Sequence, residues 1–408
     1  MRAAQSAFFV SLFLARLADQ ILLFLVPLVV FQTTHSVSMS GLAFFIETLP
    51  RFACFPLFGV MCDRFSPFRL MRISQVLRGV TCVAGVAGYA MWGGIGWLIA
   101  ISAVCGVLTS QGVVAREVML PQVFKLIRFE RVLALSQLAD QLGTVQGPMV
   151  AAALLVVMRW EWVVVATAVV FVGADLSLAL WRRATGFVFE VPQRDAAHEN
   201  AHTHAHWSAP FRTALLHVIR LPELRKVVLL ASGENLVIGV TLATSAVMFT
   251  GVHHQSAQHY AWLQTAGAIA TVAVLLSIAH TTWRARTFGL TAFVLIVSGG
   301  LLAGLSGNVW GYAVGFVLIT GFDKMFSVYI RSVRQKVIPA KDYGKTTGVV
   351  ILLNNATQPL AGLLVGLCTN RASTGYLVAG LALAMALIGA VATWGHRLIR
   401  SRSGAAAS

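Results

Sequence analysis

Charge is scarce in this chain. Asp, Glu, Lys and Arg make up 11% of the 408 residues, and acidic residues are rarest, 15 against 31 basic ones. Cysteine is nearly as sparse. Cys54, Cys62, Cys82, Cys105 and Cys368 fall in or beside apolar segments without metal-ligand spacing, so they read as structural thiols rather than a disulfide framework. No Gly-x-x-x-x-Gly-Lys-Ser/Thr run occurs, which argues against a nucleotide-driven machine. The chain also lacks a nucleophile elbow, a His-Glu-x-x-His helix, a paired-Cys site and a His-Asp or Ser-His cluster. These absences exclude the common enzyme classes. No cofactor and no resident metal are expected.

What is present is apolar sequence. Hydrophobic residues are 57% of the chain and the mean hydropathy is +0.77. The apolar runs reach the roughly 20 residues that a helix needs to cross a bilayer. The pattern is that of an integral, multi-pass membrane protein. A net charge of +16 and a pI near 10.5 fit nucleic acid in principle. The basic residues, however, fall between apolar runs rather than in one patch, so the lipid bilayer is the expected partner and nucleic acid is not.

About twelve spans follow, near residues 5–32, 40–60, 71–91, 94–115, 132–157, 161–181, 226–250, 259–280, 287–305, 308–330, 346–368 and 374–396. The first contains Arg16 and Asp19 and lacks a small-residue cleavage site after it, so it reads as a retained helix rather than a signal peptide. The division is a six-helix half at 1–181, a polar linker at 182–225, a second six-helix half at 226–396 and a tail at 397–408.

Lys and Arg alternate between loops. One set carries Arg64, Arg69 and Arg72, then Arg116, Lys125, Arg128 and Arg131, then the linker, Arg284, Arg286, Arg331, Arg334, Lys336, Lys341, Lys345, and the tail; the other carries Arg159 and Arg371. Positive charge stays on the cytoplasmic side, so both termini are expected there. Trp92, Trp97, Trp160, Trp162 and Trp310 then lie at outer ends, as an aromatic belt would.

Between the second and third spans stands "FGVMCDRFSPFRLMR". With Gly59, Asp63-Arg64 and Arg69, it resembles the short-loop signature of the major facilitator superfamily, with Ser66-Pro67 where Gly-Arg is usual. Gly59 permits close helix approach, and Asp63 can accept hydrogen bonds from a helix N-terminus or an Arg. The resemblance implies a charge clasp that holds one conformation closed; the alternative is ordinary topogenic charge. In the fifth span, "GTVQGPMVAA" resembles the Gly-x-x-x-Gly-Pro motif of the superfamily's antiporters: Gly143 and Gly147 one turn apart, then Pro148, with Ala151-Ala152 in place of the trailing glycines. The glycines allow tight packing and Pro148 bends the helix. Tight packing alone is the competing reading.

The halves also resemble each other at an offset of 215: Arg116 with Arg331, and Asp19-Gln20 with Glu234-Asn235. Parallel repeats of this kind build the superfamily's fold. That resemblance implies an all-α membrane protein of two pseudo-symmetric halves, working as a transporter and expected to be monomeric. A receptor or scaffold would require neither the repeats nor buried carboxylates.

Ionisable groups inside a bilayer cost about 2.5 to 3.5 kcal/mol each on insertion scales, so each is a functional candidate. The deepest acids are Asp19, Glu47, Asp140, Asp175, Glu234 and Asp323, with Arg16, Arg51, Arg78 and Lys324 as nearby bases. Asp19 and Glu234 occupy equivalent positions in the first helix of each half, which the resemblance places beside a central cavity. With Asp140 they are the proton-coupling candidates. The alternative for Asp19 is permanent neutralisation by Arg16 or a neighbouring helix. Arg16, Gln20, Gln137, Gln141, Asn235 and Asn355 are the substrate-contact candidates, with interhelical hydrogen bonding the alternative for the amides. Glu47 and Arg51, four apart, are set to pair with each other. Asp323-Lys324 reads as a local ion pair or a gate. His198, His202, His204 and His206 in the linker alternate in a way that can bind a divalent metal, but without Cys or a rigid scaffold a solvated linker is the expected reading.

The stretch Leu120 to Ala153 has the Leu-Pro, basic-loop, Ala-Leu-x-Gln, Gly-Pro order of a bacterial exporter branch that includes enterobactin-type siderophore exporters and macrolide pumps. The resemblance implies a proton-driven antiporter in the bacterial inner membrane exporting a small organic molecule, foremost a siderophore. A multidrug or macrolide pump, a lysophospholipid flippase and nutrient uptake are the other readings.

Overall fold

The computed structural model of the chain describes residues 2–34, 46, 50–125, 127–187, 209–366 and 371–405. Glu47, Cys368, the four linker histidines and residues 40–45 and 47–49 of the expected second span lie outside the described residues. The described secondary structure is helical throughout, as the apolar runs require: in lipid a backbone must satisfy its own hydrogen bonds, and a helix does so within one segment.

The helices are α1 (Arg2–Thr34), α2 (Phe55–Arg64), α3 (Pro67–Trp92), α4 (Gly96–Val123), α5 (Phe129–Val157), α6 (Trp160–Thr185), α7 (Ala209–Arg220), α8 (Pro222–Ala246), α9 (Ala257–His280), α10 (Ala285–Leu305), α11 (Val309–Val337), α12 (Tyr343–Asn355), α13 (Thr357–Gly366) and α14 (Arg371–Ala405). Eleven spans among the described residues are long and apolar enough to cross a membrane. Several helices outrun the expected spans. Hydropathy marks only the part a helix places in hydrocarbon, and polar residues continue the same hydrogen-bond ladder beyond it. Proline marks starts: Pro67 and Pro222 sit in the first turns of α3 and α8, where a missing N–H costs nothing. One departure is at the eleventh span, where α12 and α13 replace a single helix.

The chain forms two compact units: Met1–Leu216 with Ile338–Leu352, and His217–Val337 with Leu353–Ser408. In the first, α1 packs along α5 and α6, while α3 packs against α4 and α6. Its core includes Ile21, Leu25, Val29, Leu98, Ile101, Val164 and Phe171. In the second, α11 lies against α9 and α10, and α8 against α13 and α14.

Candidate functional site

The short-loop motif closes on the start of α12 within the first unit. Asp63, near the end of α2, accepts hydrogen bonds from the Gly344 N–H at 2.7 Å and the Lys345 N–H at 2.9 Å. Those are free first-turn donors of a helix, so a carboxylate completes them and meets the positive end of the helix dipole. The approach is backbone to backbone. A Cβ on Gly59 would come within 2.5 Å of the Gly344 carbonyl oxygen, so glycine is required there. Asp342 and Lys345 pair at 2.5 Å beside the contact. Arg64 and Arg69 are exposed. Burial pushes the Asp63 carboxyl up to about 6, partly opposed by the two backbone N–H groups and Lys345.

The antiporter-like motif seats α1. A Cβ on Gly143 would lie 2.9 Å from the Arg16 side chain and the Leu17 nitrogen. One turn on, a Cβ on Gly147 would collide with Gln20. Pro148 is half-buried in the same continuous helix. Gln20 is therefore buried in a notch that glycine provides, and Arg16 turns onto α5, where its Nε donates to Thr144 at 3.1 Å.

The three acids expected to couple protons meet different surroundings. Asp19 is ion-paired: Arg78 Nη1 donates to its Oδ1 at 2.6 Å and Thr109 donates to the same oxygen at 2.9 Å. Arg78 is 3% exposed and its guanidinium lies 4.5 Å from the centre of the Phe171 ring. The neutralising helix is α3, rather than Arg16 on the same helix. Asp140 accepts from Arg116 Nη1 at 2.6 Å. A third pair is bidentate, with Arg72 Nε and Nη2 each donating to Asp175 at 2.8 Å.

Glu234 differs. It is buried beside the Asp323 carboxyl, with which it interacts, and its Oε1 has no hydrogen-bond partner among the described residues. Asp323 in turn pairs with Lys324 at 2.5 Å. Two carboxyl groups and one amine therefore meet at this buried place. Gln137 is buried, whereas Gln141, Asn235 and Asn355 are half-buried on their helices. The Asp323 partner and the Arg72–Asp175 clamp escaped the sequence reading, although every residue in them was visible as a charge in or beside an apolar run.

A family profile described as the Major Facilitator Superfamily matches residues 8–354. The chain belongs to the Major Facilitator Superfamily. It is therefore a multi-pass membrane transport protein rather than an enzyme. Solved structures agree on the fold. A bacterial homologue of the iron transporter ferroportin, in an outward-facing state, is 16% identical with a TM-score of 0.74, covering 96% of this chain and 98% of that one. The human organic anion transporter MFSD10 is 15% identical with a TM-score of 0.74, covering 95% and 99%. The superfamily transporter FucP, in the outward conformation, is 13% identical with a TM-score of 0.67, covering 95% and 97%. Among curated proteins no significant match is found.

Proposed function

We propose that this transporter is a proton-coupled exporter of a small organic molecule, and that the molecule is a siderophore. The buried Glu234–Asp323 pair carries the coupling half of the reading. A coupling site must change charge inside the membrane at tolerable cost. Asp19 and Asp140 each pair with an arginine at 2.6 Å, so a change of charge on either would give up an ion pair. Glu234 lies beside the Asp323 carboxyl instead and needs no such rupture. The direction and the substrate rest on sequence likeness: the Gly143, Gly147, Pro148 motif for export, and the stretch from Leu120 to Ala153 for the siderophore branch in a bacterial inner membrane.

The coupling test uses purified protein in sealed vesicles. An imposed pH gradient should drive wild-type transport, and Glu234→Gln or Asp323→Asn should abolish that response while the variants remain folded. Gradient-driven transport that survives in both variants would sink the coupling assignment. For the substrate, iron-starved cells lacking the gene should retain a chelator inside and lose it from the medium. An unchanged chelator profile, with drug sensitivity or altered lysophospholipid distribution instead, would replace the siderophore by those substrates.

A further inference from the structure

The segment just before α8 contains a helix that the transport reading leaves unused. α7 is amphipathic with one broad apolar face of Phe211, Ala214, Leu215, Val218 and Ile219, at helical positions i, i+3, i+4, i+7 and i+8. One margin of that face is covered, with Ala214 and Val218 buried, while on the other Phe211 and Ile219 are 42% and 53% exposed. Arg212 and Arg220, both exposed, lie beyond this open margin, and neither is ion-paired among the described residues. Water is a poor environment for such a face. Large exposed apolar side chains in a row, edged by guanidinium groups, mark a surface that something covers.

Position decides what covers it. α7 ends at Arg220, and the membrane span that starts at Pro222 follows after the single residue Leu221. One intervening residue reaches only a few ångströms, at about 3.3 to 3.6 Å per residue. The C-terminal end of α7 is thus held at the level where its own span enters the bilayer, in the headgroup layer. Arg225, in the first turns of α8, donates from Nη1 to the Ile219 carbonyl oxygen at 3.4 Å, which ties the end of α7 to the start of the span. Guanidinium groups at that depth match phosphate in charge and geometry, and their alkyl stems can lie along the apolar stripe.

We propose that α7 is an interfacial helix that docks on anionic phospholipid: Phe211, Leu215 and Ile219 sink among the upper acyl chains, and Arg212 and Arg220 hold headgroup phosphates. The site takes a lipid phosphodiester in the plane of the membrane that the protein itself spans.

The test places nitroxide labels at Phe211→Cys and Ile219→Cys in full-length protein whose native cysteines have been replaced. The protein is reconstituted into vesicles of phosphatidylcholine alone or of phosphatidylcholine with phosphatidylglycerol. Both labels should be shielded from a water-soluble relaxant and reached by dissolved oxygen, more strongly when phosphatidylglycerol is present. Arg212→Gln with Arg220→Gln should weaken retention of phosphatidylglycerol by roughly tenfold or more, at about 1 kcal/mol per arginine near an anionic surface. Arg212→Lys with Arg220→Lys should restore most of it. Labels as open to the aqueous relaxant as a solvated site would overturn the proposal, as would dipolar broadening that reports a second copy on this face. Retention that ignores the arginine pair would overturn the anionic-lipid assignment.

Discussion

At the scale of single residues, Asp63 links the closed loop contact to pH. Its carboxyl sits at about 6 against the native N–H donors of Gly344 and Lys345, above the ordinary 3.8 of an Asp, because burial outweighs the hydrogen bonds. A raised carboxyl means that the contact binds a proton more tightly than the released chain does. The associated stabilisation is complete below about 3.8 and is lost as pH rises through about 6. Amide exchange at Gly344 and Lys345, corrected for intrinsic rates, should therefore quicken above pH 6 in the wild type. In Asp63→Asn, which accepts the same N–H groups but cannot ionise, that pH step should vanish; an identical step in the variant would remove Asp63 as its source. The buried Arg78–Asp19 pair gives a second expectation. Arg78→Ala leaves an uncompensated carboxylate, which typically costs about 3 to 5 kcal/mol. Pairing that change with Asp19→Leu should recover most of the loss, as thermal unfolding in detergent would report. A double variant no more stable than Arg78→Ala alone would show that Asp19 is not the partner that matters.

At the scale of elements, the contact between α1 and α5 depends on two absent side chains. Gly147 faces Gln20 so closely that even a methyl group must displace it, and Gly143 faces the backbone of Leu17. Gly147→Ala should cost about 1 to 3 kcal/mol, the usual price of overpacking, and Gly147→Leu should separate the helices. A cysteine pair across α1 and α5 that crosslinks in the wild type but not in Gly147→Leu would report the separation; unchanged crosslinking would mean that the motif does not set this distance. This packing was legible in the sequence because small residues one turn apart in an apolar helix have one common use. The charge partners were not. Hydropathy and spacing identify a residue's own helix and its face, but Asp19 meets Arg78, and Glu234 meets Asp323, across helix pairs that only the packed structure selects. The repeat even misled at this level. Offset by 215, Arg78 falls on Phe293, so the equivalent carboxylates Asp19 and Glu234 have different partners, an arginine for one and the Asp323 carboxyl for the other.

At the scale of the molecule, the order of spans was readable because a bilayer imposes a length, and a family profile over residues 8–354 agrees with it. Orientation has a separate physical origin, the excess of Lys and Arg that keeps a loop on the cytoplasmic side during insertion. The loop around Arg64, Arg69 and Arg72 and the one around Arg284 and Arg286 should remain cytoplasmic, whereas the turn at Ser306–Asn308, which carries no charge, should cross. An alkaline phosphatase inserted after Gly307 should be active, and one inserted after Phe65 inactive. A fluorescent protein fused after Ser408 should fluoresce. The reversed pattern would place both termini outside and would turn the direction of any gradient-driven transport with them. It would also move α7 to the other leaflet, so the phospholipid that Arg212 and Arg220 meet depends on the same charge asymmetry that inserts the chain.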